Sequence, residues 1–192
     1  MTTVKIIQHP NPESPRTWDC NIGKIYLNPN ANRSLNFGDE VTVNQNPASP
    51  DWKGYIALPL YIYDHGIAQL SVDPLRPYPF NCQWDSAQIG IYAVSYEKLQ
   101  EVYEDWENTE EWRKRVKDFL AEEIKELNQW LRGDVWGYEI EHMGDPFHED
   151  DENYEDSCWG FFGADPRTNG MFEHVPERFR PLLVKAYEEL SQ

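Results

Sequence analysis

The sequence predicts an α+β fold: a mainly antiparallel sheet with a long amphipathic helix packed on one face. Three observations predict it. Residues 55–63 and 67–72 are rich in aromatic and β-branched side chains and flank the turn Asp64-His65-Gly66, the pattern of a hairpin. Residues 110–132 carry apolar side chains at spacings of three and four, the signature of a helix with one buried stripe. Residues 135–140 and 158–162 read as a second strand pair across an acidic loop.

In chain order, residues 4–7 are a short apolar run that Pro10 and Pro12 end, and residues 9–21 are an irregular segment dominated by turn chemistry. Residues 22–27 read as a strand, an Asn-rich loop runs to Gly38, and residues 41–43 read as a second short strand. Pro59 lies inside the strand 55–63; proline cannot donate to a ladder, so this strand is expected at an edge or with a bulge. Residues 74–80 hold three prolines and predict a rigid loop, after which residues 89–94 read as a strand. Ser95 is placed to cap a helix from Tyr96 to about Trp106.

Thr109 is the expected N-cap of the next helix, and Glu110 and Glu111 sit where the helix dipole favours negative charge. Its stripe is Trp112, Val116, Phe119, Leu120, Ile124, Leu127 and Leu131, with Gly133 as the stop. Burying that stripe contributes on the order of 10–20 kcal/mol before entropy is subtracted. Residues 176–190 predict a last helical region, opened by Pro176 and interrupted by Pro181. The 192 residues fit a single domain spanning 1–192.

A composition of 40% hydrophobic and 14% aromatic residues excludes a disordered chain. The net charge is −17, from 34 acidic and 17 basic side chains. Such a field repels phosphate backbones and anionic membrane surfaces, so neither nucleic acid nor membrane is an expected partner. It favours a basic protein surface, such as that of a host protein that binds nucleic acid. Three cysteines do not form a disulfide framework, the N-terminal residues do not form a signal peptide, and no apolar run is long enough for a membrane span. A reducing cytoplasm is the expected location.

Four clusters are chemically suggestive. His65 follows Asp64 in a turn and has the residue type of a general base. Residues 80–86 bring Cys82, Asp85 and Ser86 into one loop; Cys82 and His65, with Asp85 as orienter, would make a cysteine–histidine hydrolase if the hairpin folds back. Against this, no helix start follows Cys82 to lower its pKa. Asp156-Ser157-Cys158-Trp159-Gly160-Phe161-Phe162-Gly163 reads as core, with a buried, inert thiol. Cys20, Cys82, Cys158 and His65 lack the short cysteine pair of zinc sites, and no loop has a calcium or dinucleotide pattern, so neither metal nor cofactor is expected. The acidic loop 144–156 contains Glu149, Asp150, Asp151 and Glu152 in succession and is the expected partner-facing surface.

Together, Pro59-Leu60-Tyr61-Ile62-Tyr63-Asp64-His65-Gly66, the stretch 80–90 and the stretch 156–163 resemble a group of uncharacterised proteins carried by bacterial phages, plasmids and related elements. The resemblance covers residues 8–163 and implies a mobile-element context, with no activity and no catalytic residue to transfer. Small acidic proteins of such elements include inhibitors of host defence, some of which imitate the phosphate pattern of DNA. The expectation is therefore an acidic, non-enzymatic protein-binding module. The alternatives are the hydrolase using Cys82 and His65, and a structural or regulatory accessory protein.

Overall fold

The chain divides into two compact units, one built from both terminal stretches and one from the residues between them. In the computed structural model, which describes residues 2–30, 38–73, 84–144 and 152–190, one unit comprises Met1–Glu13 and Arg132–Gln192 and the other Ser14–Leu131. The fold class is α+β with mainly antiparallel pairing, distributed over a three-stranded and a five-stranded sheet.

The central unit holds the five-stranded sheet. Its strands are β2 (Lys24–Leu27), β3 (Glu40–Val41), β4 (Tyr55–Asp64), β5 (Ala68–Ser71) and β6 (Ser86–Ser95), in spatial order β3-β2-β6-β4-β5. Among the described residues, β2 and β3 are the one pair that runs parallel. β4 and β5 form the expected hairpin about Gly66, whose φ of +98° only glycine adopts readily. Pro59 pairs with Ile91 of β6 in the part of β4 that extends past the end of β5, and the register shifts between Leu60 and Tyr61. Its missing N–H therefore falls where no described strand flanks that side of β4, next to a bulge.

Ser95 caps α1 (Tyr96–Val102), its hydroxyl accepting from Lys98 N at 3.1 Å. This helix stops at Val102 rather than near Trp106. Continuing would place Glu101, Glu104 and Asp105 at the negative end of the helix dipole. Thr109 Oγ1 accepts from Trp112 N at 3.3 Å and opens α2 (Glu110–Leu131). Val116, Leu120, Ile124 and Leu127 of α2 share one core with Ile25, Ile56, Leu58, Leu60, Ile62, Leu70, Ile89 and Tyr92 of the sheet. Phe119 departs from the expected stripe: it is 39% exposed, one step round the helix from Leu120. Tyr26, Trp52, Ile91 and Ala93 form a second, aromatic cluster.

The terminal unit holds β1 (Thr2–Gln8), β7 (Val135–His142) and β8 (Tyr154–Phe162) in the order β1-β7-β8, all antiparallel. The expected pairing of residues 135–140 with 158–162 across the acidic loop is present. Ile6, Tyr138, Ile140 and Phe161 pack with Met171 of α3 (Met171–His174), Val175, Phe179 and Leu183 of α4 (Arg180–Leu190). A 3-10 turn, Glu177–Phe179, gives way to α4 immediately before Pro181. The proline lies in the first turn of α4, where the missing N–H would have no helical partner in any case. Among the described residues, no helix is long and apolar enough to cross a membrane.

Candidate functional site

Register in the three-stranded sheet separates two faces. The rows containing Ile6, Tyr138, Ile140 and Phe161 point into the core. The opposite face carries three rows: Thr3, Glu141 and Glu155; Lys5, Glu139 and Ser157; Ile7, Gly137 and Trp159. Lys5, Glu141, Glu155, Ser157 and Trp159 are exposed and Glu139 is half-buried, so this face is open to solvent. Glu141 and Glu155 stand directly opposite each other, and Glu139 follows Glu141 on the same face at about 7 Å, two strand residues along. Like charges directly opposite in a sheet repel, and Lys5 is the single cation in the three rows. A shallow groove of about 420 Å³ runs over Glu139, Glu141, Glu155 and Ser157.

At the other end of this face the Trp159 ring lies over Gly137; a Cβ there would stand 2.3 Å from the ring. His9 meets Trp159 edge to face, with centroids 5.3 Å apart. The face thus joins an acidic end to an aromatic end. Asp156 does not belong to it. It sits in the inward row, where its Oδ2 accepts from Tyr138 OH at 2.9 Å and Tyr154 OH at 3.0 Å. Burial and then this carboxylate push the ionisation of Tyr138 well above the ordinary tyrosine value.

The terminal unit also concentrates charge. It holds 16 carboxylates against 6 lysines and arginines, so −10 of the net −17 lies in the smaller of the two units. Of the acidic loop, Glu152 is exposed just before β8, while Glu149, Asp150 and Asp151 lie outside the described residues.

The hydrolase candidates divide similarly. His65 Nδ1 stands 3.3 Å from Asp85 Oδ2, because the Asp64 amide bonds the Asp85 carbonyl at 3.0 Å and ties the hairpin tip to the start of β6. The His65 side chain is 73% exposed and its ring stacks on Tyr63. Cys82 lies outside the described residues. Cys158 is half-buried rather than buried: it lies in the inward row opposite Tyr138, but on an edge strand of whose nine residues only Phe161 is buried. Cys20 is exposed, and no group of metal-ligating side chains occurs among the described residues.

Sequence reasoning missed two polar residues on the buried stripe of α2. Glu123 is 7% exposed and accepts from Ile22 N at 2.6 Å, Gly23 N at 3.2 Å and Tyr92 OH at 2.7 Å. Asn128 accepts from Leu70 N at 2.7 Å and donates to Leu70 O at 2.8 Å. The signal was present, since Glu123 follows Leu120 by three positions and precedes Leu127 by four. Burial raises the pKa of Glu123 against the lowering effect of its hydrogen bonds and of Arg16. Arg16 itself bonds Tyr92 OH at 3.2 Å, Gly23 O at 2.8 Å and the carboxylate of Asp39. A perturbed carboxylate is a functional candidate when it faces a cleft. Here all three of its partners belong to the fold, and the roughly 450 Å³ polar cleft nearby has each lining cation in an ion pair: Arg16 with Asp39, Lys24 with Glu40, Lys98 with Glu101. This network is a clamp between α2 and the sheet.

Compared with known proteins, the chain matches no family, no curated protein and no solved structure.

Proposed function

We propose that this chain is a non-enzymatic protein-binding module that presents an acidic surface to a basic partner, of the kind that ordinarily holds nucleic acid. The observation that supports the reading is the open sheet face on which Glu141 and Glu155 stand in register with Glu139 alongside. A standing like-charge pair is unfavourable in the free protein and relieved by a cationic group, so it favours association with a positive surface. The resemblance to phage- and plasmid-borne proteins fits an inhibitor of host defence that occupies a nucleic-acid site by carboxylate mimicry, acting in the cytoplasm.

The test is capture of partners from bacterial lysate by the intact chain and by the combined variant Glu139→Gln, Glu141→Gln, Glu155→Gln. Glu141 and Glu155 are exposed, where such substitutions move stability by less than about 0.5 kcal/mol each; Glu139 is half-buried, so the fold of the variant is checked by its urea denaturation midpoint. The intact chain should retain a basic partner at low salt, release much of it at high salt, and lose it to added duplex DNA. The variant should retain at least about tenfold less at low salt. Equal retention by both would exclude this face.

A second reading, a hydrolase using Cys82 and His65, is favoured by the 3.3 Å approach of His65 to Asp85. Its weakness is the exposure of His65, since a water-filled dyad gains little from its carboxylate. His65→Ala and Cys82→Ser are expected to fold normally and to leave partner capture unchanged. Loss of biological activity in both, with capture intact, would replace the binding module by the enzyme.

A further inference from the structure

We infer that the free edge of β8 takes up an extended basic segment of the partner as a fourth strand of the terminal sheet. The inference rests on the binding reading above and specifies how the partner is held. β8 pairs with β7 alone, and its other edge carries no strand among the described residues. Residues 154–159 run in unbroken register with β7, from Tyr154 opposite His142 to Trp159 opposite Gly137. Gly160, with φ +96°, then bulges the strand and limits the usable edge to that stretch.

Edge strands are normally guarded against pairing by lysine or proline. The other edge, β1, carries Lys5, whereas β8 (Tyr154–Phe162) contains no lysine, arginine or proline. What β8 does carry is Glu155 on the outer face and Asp156 on the inner one. These carboxylates repel a second copy of the same strand and attract a basic one, so the edge is closed to self-association and open to a segment of opposite charge. An added strand would place every second side chain on the outer face. Lysine or arginine there meets Glu155, with Glu141 and Glu139 behind it; the next outward residue stands opposite Ser157, and the one after it opposite Trp159. Backbone hydrogen bonds supply affinity, and the alternating cations supply specificity.

The probe is a short peptide, blocked at both ends, that alternates lysine with valine. Two versions carry N-methyl groups on alternate residues, one on the odd positions and one on the even. A strand added to an edge turns only half of its amides toward its neighbour, so one methylated version should bind the intact chain at least about tenfold more weakly and the other should bind like the parent. Amide exchange within residues 154–159 should slow on binding the parent peptide, and the Glu139→Gln, Glu141→Gln, Glu155→Gln variant should bind all versions weakly. Equal binding of both methylated versions, or equal loss of both, overturns strand addition. If strand addition fails but the glutamine variant still loses the parent peptide, the acidic face stands as a binding surface. If the variant keeps the peptide, both readings fall.

Discussion

Leu120→Ala and Leu127→Ala should each lower the free energy of unfolding by about 2–5 kcal/mol, the range for truncating a buried leucine to leave a cavity. Both residues are 0% exposed, Leu120 at the middle of α2 and Leu127 near its C-terminal end, and both belong to the core shared with the five-stranded sheet. Interiors are close-packed, so the vacated space closes only in part and the lining atoms lose dispersion contacts as well as burial. Equilibrium denaturation in urea measures the effect directly. Phe119→Ala is the internal comparison: at 39% exposure the same helix should lose about 1 kcal/mol or less there. A Leu120→Ala protein as stable as the parent would mean that α2 does not carry the core of this unit.

Replacing Glu123 by alanine should destabilise by about 3–5 kcal/mol, the range for removing one partner from a buried charged network. The loss leaves the amides of Ile22 and Gly23 without their acceptor and removes the carboxylate beside Arg16 and Tyr92. Buried donors left unmade carry their full desolvation penalty, which is why the effect exceeds the worth of a single hydrogen bond. Glu123→Gln keeps the shape and one acceptor and should cost less, about 1–3 kcal/mol. The two proteins should also differ in pH dependence. Burial raises the folded pKa of Glu123 above its ordinary value of 4.5, so between these two values the folded state binds more protons than the unfolded state. The intact protein therefore loses stability as pH rises from about 4.5 through the raised value, and the glutamine variant lacks that component. Parallel stability profiles for the two proteins would show that Glu123 does not titrate above its unfolded value.

Much of the local structure was legible because it depends on neighbours in sequence. The cap at Ser95, the cap at Thr109 and the turn at Gly66 all follow from short-range hydrogen bonding and backbone sterics. The stripe of α2 was legible apart from Phe119, since helical geometry sets which residues share a face but not how wide the covering sheet is. The end of α1 was overestimated because the cap at Ser95 marks where the helix starts and leaves its end unmarked.

For the candidate site, the strand around Glu139 and Glu141 and the partner strand around residues 158–162 were both readable. Alternation alone also assigns Glu139 and Glu141 to one side of their strand. It does not say which side faces water, nor that Glu155 rather than Asp156 stands beside them. That choice is made by register, and a slip of one residue would exchange the two carboxylates between the core face and the open face.

The sequence by itself determined the charge, the α+β class, the hairpin of β4 and β5, and the helix Glu110–Leu131, all of which rest on composition or on contacts within a few residues. Only the tertiary structure decided that the strands divide into two sheets, that β1 pairs with β7 across more than a hundred residues, and that Glu123 and Asn128 turn inward, Glu123 to hold the backbone just before β2 and Asn128 to hold that of β5. The physical reason is that hydrophobic patterning marks a face for burial without naming what buries it. A polar group on such a face is tolerated only when distant backbone donors and acceptors arrive to satisfy it.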